Sequence, residues 1–188
     1  LKDIKGCQPM VRELTTLVEK FAERFEEKKR TKNMIDFSDM EQYAMKILTE
    51  KTEGGFCPTA AAEEYQEQFL EIMIDEYQDS NLIQETILTS VSRYARGEYN
   101  IFMVGDVKQS IYRFRLSRPE LFMEKYDTYS TEDSDTQRID LHKNFRSRAE
   151  VLESVNYIFR QIMTRPLGGI AYDEDAALYV GESAKQAK

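Results

Sequence analysis

An α/β fold, rich in helices and organised around a short parallel sheet, is the architecture this sequence predicts. Short apolar runs of strand length alternate with longer stretches of helical period. The two sharpest runs, residues 69–75 (FLEIMID) and 99–106 (YNIFMVGD), each stop at acidic and other polar residues. In a parallel sheet the site forms at the C-terminal strand edge, so polar residues gathered just after strand ends carry functional information.

The elements run in this order. From Gln8 to Arg30 the apolar residues Met10, Val11, Leu14, Leu17, Val18, Phe21 and Phe25 recur at helical spacing as one buried stripe, and Lys28, Lys29 and Arg30 suit a helix C-terminus. Ser38 with Glu41 reads as a capping box for a second helix, with Met40, Tyr43, Ala44, Ile47 and Leu48 inward. Gly54, Gly55 and Pro58 break the chain, and Thr59 caps a short acidic helix ending at Gln68. After the strand in 69–75 a capped helix opens near Ser80, with Leu82, Ile83, Ile87, Leu88, Val91 and Tyr94 along one side. The run 99–106 is a second buried strand, and a helix comes after Arg118-Pro119. The acid-rich segment 127–137 reads as a linker, residues 138–141 (RIDL) as a third strand, and Ser147 as the cap of a long amphipathic helix. The tail from Pro166 is weakly patterned, and no internal repeat is present.

Composition sets the outer bounds. The 188 residues are 41% hydrophobic and 11% aromatic, enough to fill a core and to exclude whole-chain disorder. A net charge of −8, from 26 Lys and Arg against 34 Asp and Glu, argues against a generally basic nucleic-acid coat but leaves room for a local basic stripe. Cys7, Cys57 and the single His142 cannot build a disulfide framework or a zinc cluster, and they read as packing or incidental residues. No apolar run is long enough to span a bilayer, so a reducing, cytoplasmic setting is expected.

Three clusters carry chemistry. In IMIDEYQDSN (72–81) the first strand delivers Asp75 and Glu76 to its tip. Adjacent carboxylates there can divide labour, one holding Mg²⁺ through water and the other accepting a proton from an attacking water. The plainer alternative is an acidic pair that caps the next helix. In VGDVKQSIYRFR (104–115) a strand again ends in polar residues, and the Gln109 amide can donate and accept at once. Beyond it Tyr112, Arg113, Phe114 and Arg115 interleave rings with cations, as single-strand binding requires. The alternative is a solvated basic loop whose aromatics lie in the core. In LHKNFRSR (141–148) Arg146 could reach a γ-phosphate and Phe145 offers a flat face to a purine, or the segment is a plain helix N-terminus with a surface Arg.

Together, in this order, DEYQDSN, GDVKQSIYRFR and LHKNFRS resemble motifs II, III and IV of the UvrD/Rep/RecB helicases of superfamily 1, and IDFSDM (35–40) resembles the element those proteins carry upstream of motif II. The wording GDVKQSIYRFRLS, without Gly-Ala after FR, is most similar to the A subunits of the bacterial ATP-dependent helicase/nucleases, the AddA or RexA type. The resemblance covers about residues 33–180. It implies part of a RecA-like, P-loop NTPase-type sheet flanked by helices. It divides the chain into a helical segment at 1–68, the back of a first RecA-like domain at 69–126, a linker at 127–137 and the start of a second such domain at 138–188.

The same resemblance implies roles. Asp75 and Glu76 would bind Mg²⁺, with Glu76 also the catalytic base. Gln109, Phe145 and Arg146 would bind ATP, Gln109 and Arg146 at the γ-phosphate and Phe145 stacked on adenine. Tyr112, Phe114 and Arg115 would meet single-stranded DNA. Phe114 stands where close relatives have Trp, and Phe145 where Tyr is more usual. The implied partners are single- and double-stranded DNA and the second, AddB/RexB-type subunit of a heterodimer, in 3′-to-5′ unwinding and double-strand break repair. The sequence contains no G-x-x-x-x-G-K-[ST], so nothing in it cradles the α/β-phosphates. The chain is therefore expected to be a middle slice that alone hydrolyses ATP negligibly. One other class stays open, a non-catalytic ATPase-like module that binds DNA or a partner; a two-metal nuclease built on Asp75, Glu76 and Asp79 is disfavoured, since the sequence lacks a second acidic strand with a nearby lysine.

Overall fold

The computed structural model describes residues 2–181 as a helix-rich α/β protein with small parallel and antiparallel sheets. It divides into two compact units, one running to Ile47 and one starting at Leu48.

The first unit holds α1 (Lys2–Thr31) and most of α2 (Phe37–Leu48). The apolar stripe of α1 is present but not buried: Met10, Val11, Leu14, Leu17, Val18, Phe21 and Phe25 all stand exposed. A 12-residue helix cannot cover a 30-residue one. The box that opens α2 lies two residues earlier than expected. Asp36 Oδ1 accepts from the Asp39 N–H at 2.9 Å, and Asp39 Oδ2 accepts from the Asp36 N–H at 2.8 Å. Carboxylates win this position from Ser38 because Lys29 Nζ reaches both, at 3.3 Å to Asp36 and 2.5 Å to Asp39. Those bonds raise the Lys29 pKa and lower that of Asp39.

In the second unit β1 (Thr49–Thr52) and β2 (Gly55–Pro58) form an antiparallel hairpin where a simple break was expected. Gly55, at φ 124°, supplies the backbone conformation that closes it. Helix α3 (Ala60–Gln68) begins at Thr59, whose side chain accepts from the Ala62 N–H as expected. It packs on α4 (Leu82–Val91), and the buried Gln66 Nε2 donates to Ser90 O at 2.7 Å. Residues 48–68 thus belong with α4 in the second unit.

Strands β3 (Ile72–Ile74) and β4 (Ile101–Met103) pair in parallel, Met73 opposite Phe102. They are shorter than the apolar runs that announce them. They are also only half buried, Met73 being 71% exposed. Their starts are clamped by Arg93 and Asn100: Arg93 donates to Phe69 O and Leu70 O, and Asn100 donates to Phe69 O and accepts from the Arg93 N–H. Helix α4 is capped by Asn81, in a box with Gln84, and α5 (Pro119–Thr128) begins at its proline.

The RIDL segment is not a strand. Arg138 is drawn instead to α5, where its guanidinium lies 4.1 Å over the Tyr126 ring, donates to Tyr126 O and pairs with Asp140. Residues 130–137 close on themselves, with Arg138 N–H donating to Ser130 O at 2.7 Å. The third strand, β5 (Lys143–Asn144), comes two residues later and pairs in parallel with β6 (Tyr179–Val180). Between them lie α6 (Ala149–Ile162) and the short α7 (Arg165–Gly168). Ser147 does not cap α6: its N–H, like that of Arg146, donates to Asn144 Oδ1. Asn156 ties α6 to the tail by accepting from Tyr172 Oη and exchanging two bonds with the Leu178 backbone, over a small core of Tyr172, Ala176 and Ala177. No sheet among the described residues exceeds two strands, and no helix there is long and apolar enough to cross a membrane.

Candidate functional site

The site is built on the C-terminal ends of β3 and β4. The backbone ladder carries on past the strands, Val104 N–H donating to Ile74 O at 2.8 Å and Tyr77 N–H to Val104 O at 2.9 Å. Asp75 and Glu76 therefore lie beside the turn that holds Asp106 and Gln109. Both carboxylates are exposed, and Asp75 Oδ1 accepts from the Glu76 N–H at 2.9 Å. Glu76 sits in the left-handed region at φ 51°, which costs an L-residue roughly 1–2 kcal/mol and marks a position the surroundings over-determine.

The residues just after the pair turn inward. Tyr77 and Gln78 are each 1% exposed. Tyr77 Oη donates to Glu85 Oε2 at 2.5 Å, Lys125 Nζ pairs with Glu85 at 2.8 Å and lies over the Tyr77 ring, and Phe122 of α5 packs against that ring. Burial and the Glu85 bond push the Tyr77 phenol well above its usual range. Gln78 Oε1 accepts from the Asp106 N–H at 2.9 Å, and its Nε2 donates to Glu76 Oε2 at 2.7 Å. Asp79 is pushed upward by burial and then by the Glu76 charge, and its Oδ1 is buried without a partner among the described residues. No metal-binding group of three carboxylates forms there among the described residues. Asp106 takes Gln109 Nε2 at 3.0 Å and Lys108 Nζ at 3.0 Å.

Further along, the rings of the expected DNA loop stand out in solvent and not in the core. Phe114 is 75% exposed, its ring lies 5.9 Å from that of Tyr112, and the Arg115 guanidinium covers both at 5.1 and 5.6 Å. The far end of the loop is fastened by Arg118 N–H to Ser80 O at 2.8 Å.

Phe145 and Arg146 are exposed on the turn after β5, apart from this cluster in the bonding pattern. The Phe145 ring lies directly on the Gly181 backbone, where no β-carbon would fit. His142 is structural, its Nδ1 lying 2.9 Å from Asp175 O, and Cys7 and Cys57 are free and exposed. Sequence reasoning places Gly105 and Asp106 at the end of the second strand and Gln78 in the polar run after the first, but gives none of them a contact, and it passes over the Glu85–Lys125 pair. The signal was available for Gln78 alone, a neutral amide set among three acids.

The parallel pair thus carries acids at one strand tip, an amide-bearing turn at the next and an exposed aromatic–cationic loop beyond. The profile of the UvrD/REP helicase N-terminal domain matches residues 3–130, and the chain belongs to that family. Its relatives include the A subunit of the ATP-dependent helicase/nuclease of Lachnoclostridium phytofermentans, 55% identical over 96% of this chain and 13% of that protein. The corresponding protein of Bacillus pumilus is 51% identical over 100% and 16%, and that of Clostridium beijerinckii 46% over 100% and 15%. The chain spans 13–16% of the length of these relatives.

Proposed function

We propose that this chain is a part of the A subunit of an ATP-driven DNA helicase/nuclease, the part that carries motifs II, III and IV: the hydrolytic carboxylates, a DNA-stacking loop and a second nucleotide contact. The observation that carries this reading is the parallel β3–β4 pair, which sets Asp75 and Glu76 beside the Asp106–Gln109 turn with the exposed Tyr112–Phe114–Arg115 group within six residues of Gln109. The β3–β4 and β5–β6 pairs are then pieces of two RecA-like sheets, with residues 127–137 between them.

Two exposed carboxylates at a strand tip fit what Mg²⁺ takes from protein when it arrives with ATP, namely one or two carboxylates and otherwise water and phosphate. When bound, ATP would bring the phosphoryl group and Mg²⁺ would neutralise the charge that develops on it. Asp75 and Glu76 would hold the ion, in part through water. Glu76 accepts a proton from the attacking water. Gln109, held beside the acids by Asp106, would meet the γ-phosphate, Arg146 would supply a positive charge to it, and Phe145 would stack on the base. Tyr112, Phe114 and Arg115 hold single-stranded DNA by stacking and charge. The partners are DNA and a second subunit of the AddB/RexB type, in double-strand break repair in the cytoplasm. The phosphate cradle is not in this chain, so alone it turns ATP over negligibly.

The test is Glu76→Gln in the full-length protein. The amide keeps the shape and removes the proton acceptor, so turnover should fall by about 10²–10⁴-fold while nucleotide and DNA affinity stay. A normal rate at saturating ATP would show that Glu76 is not the base.

A further inference from the structure

We infer that Gln78 is a positioning residue that ties the Glu76 carboxylate to the Asp106–Gln109 turn, so that the proton acceptor after β3 and the amide after β4 are set as one unit. The inference rests on the reading of Glu76 as that acceptor.

The Gln78 side chain is enclosed, and its amide is used at both ends: the oxygen takes the Asp106 N–H at 2.9 Å and the nitrogen gives to Glu76 Oε2 at 2.7 Å and, at 3.5 Å, to Asp79 Oδ2. From Asp106 the path continues to Gln109 Nε2 at 3.0 Å. Three bonds of ordinary length thus join Glu76 to Gln109 without a gap. Only an amide serves at this position. A carboxylate would face Glu76 and Asp79 with like charge, a thioether would leave the Asp106 N–H and Glu76 unsupported, and Asn is one methylene short.

The neighbouring backbone is shaped around this side chain. A β-carbon on Gly105 would lie 2.7 Å from Gln78 Oε1, 3.0 Å from the Phe122 ring and 3.2 Å from Gln78 N, so glycine leaves room for both the amide and the ring beside the Asp106 turn. Glu76, in its left-handed conformation, takes its side-chain direction from Gln78.

The experiment uses the full-length protein with Glu76→Gln, Gln78→Met, the double variant and Gly105→Ala. It measures ATP kcat and KM with saturating single-stranded DNA, together with amide exchange of peptides covering 104–110 without nucleotide. Gln78→Met should lower kcat by about 10²-fold, as a misplaced group does, and leave KM within about threefold. Exchange at 104–110 should rise. Added to Glu76→Gln, it should cost less than about threefold more, because it acts through the group already lost.

A multiplicative loss in the double variant, or a kcat for Gln78→Met within about threefold of the parent, overturns the inference. If Gln78→Met does not fold, Gly105→Ala decides: Gln78 stays but is pressed aside, kcat should fall by about tenfold or more, and an unchanged kcat overturns it. A fully active Glu76→Gln overturns the functional reading as well, whereas an inactive Glu76→Gln with an independent Gln78 effect sinks the positioning role alone.

Discussion

The turn after β3 and the loop after β4 start alike and end as opposites. Each comes after a three-residue strand, and each contains one non-glycine residue in the left-handed region, Glu76 at φ 51° and Leu116 at φ 66°. After Glu76 the chain buries Tyr77 and Gln78 against α5 and the β4 turn, and their bonds run inward. Before Leu116 the chain holds Ile111, Tyr112 and Phe114 in solvent, on a loop anchored at its two ends. The first turn uses its side chains to fix geometry and the second offers them outward. Under the proposed roles, Glu76 as proton acceptor would need a fixed direction, and a stacking surface would need exposed rings on an anchored base.

The largest expected effect tests the inward half. Tyr77→Ala in the full-length protein removes a ring enclosed by Phe122 and Lys125 and leaves Glu85 without its hydroxyl partner. Buried aromatic truncations cost about 3–5 kcal/mol. That loss corresponds to amide exchange about 10²- to 4 × 10³-fold faster in peptides covering 72–80 and 119–128, at 1.4 kcal/mol per decade. Tyr77→Phe keeps the ring and should cost about 1 kcal/mol, the net contribution of one hydrogen bond. Equal effects from the two substitutions would mean that the hydroxyl, and not the ring, holds the turn.

How much of this was legible depends on how far each residue's partners lie along the chain. Helices α3 and α5 declare themselves through Thr59 and Pro119, because caps and proline act within one turn of chain. The second helix was legible in place, but its box was not: Asp36 and Asp39 share the spacing of Ser38 and Glu41, and the choice was made by Lys29 from another helix. The hairpin β1–β2 was hidden because TEKT and GFCP lack apolar alternation. RIDL alternates as a strand should, yet Arg138 commits its charge to Tyr126 and Asp140 and the pairing slips to 143–144. That Asp75, Glu76 and Gln109 follow strand ends was legible, because the apolar runs mark where β3 and β4 stop. Gln78 showed only as an amide set among acids, and its contact with the Asp106 turn, like the room Gly105 leaves for it, joins two turns far apart in sequence.

The outward half is tested by Phe114→Ala. An alanine there removes one stacking platform, worth about 1–3 kcal/mol per base, or about a 5- to 150-fold loss of single-strand affinity. Stability should hold, because the ring's contacts are Tyr112 and Arg115 on the same exposed loop. Affinity measured on single strands, with amide exchange of residues 101–118 alongside, separates the two. If affinity is untouched and exchange rises, this loop is structural and the contrast between the two turns fails.

The smallest effect is expected from Leu116→Gly, and it sharpens the comparison most finely. Leu116 holds a left-handed backbone and closes the turn by donating its N–H to Arg113 O at 3.0 Å, while its side chain stays in solvent. Glycine relieves roughly 1–2 kcal/mol of backbone strain and loses about 0.5–1 kcal/mol to the greater freedom of the unfolded chain. The net is a gain of about 0.5 kcal/mol, within what a shift in amide exchange across 112–118 can resolve. Single-strand affinity should stay within about twofold, since the loop's anchors at Val107–Ser110 and at Ser80–Arg118 are untouched. A larger fall in affinity with no change in exchange would mean that the stiffness of a non-glycine residue at 116 is itself what presents the rings. The outward loop would then be as over-determined as the inward turn, its strain aiming Tyr112 and Phe114 as that of Glu76 aims a carboxylate.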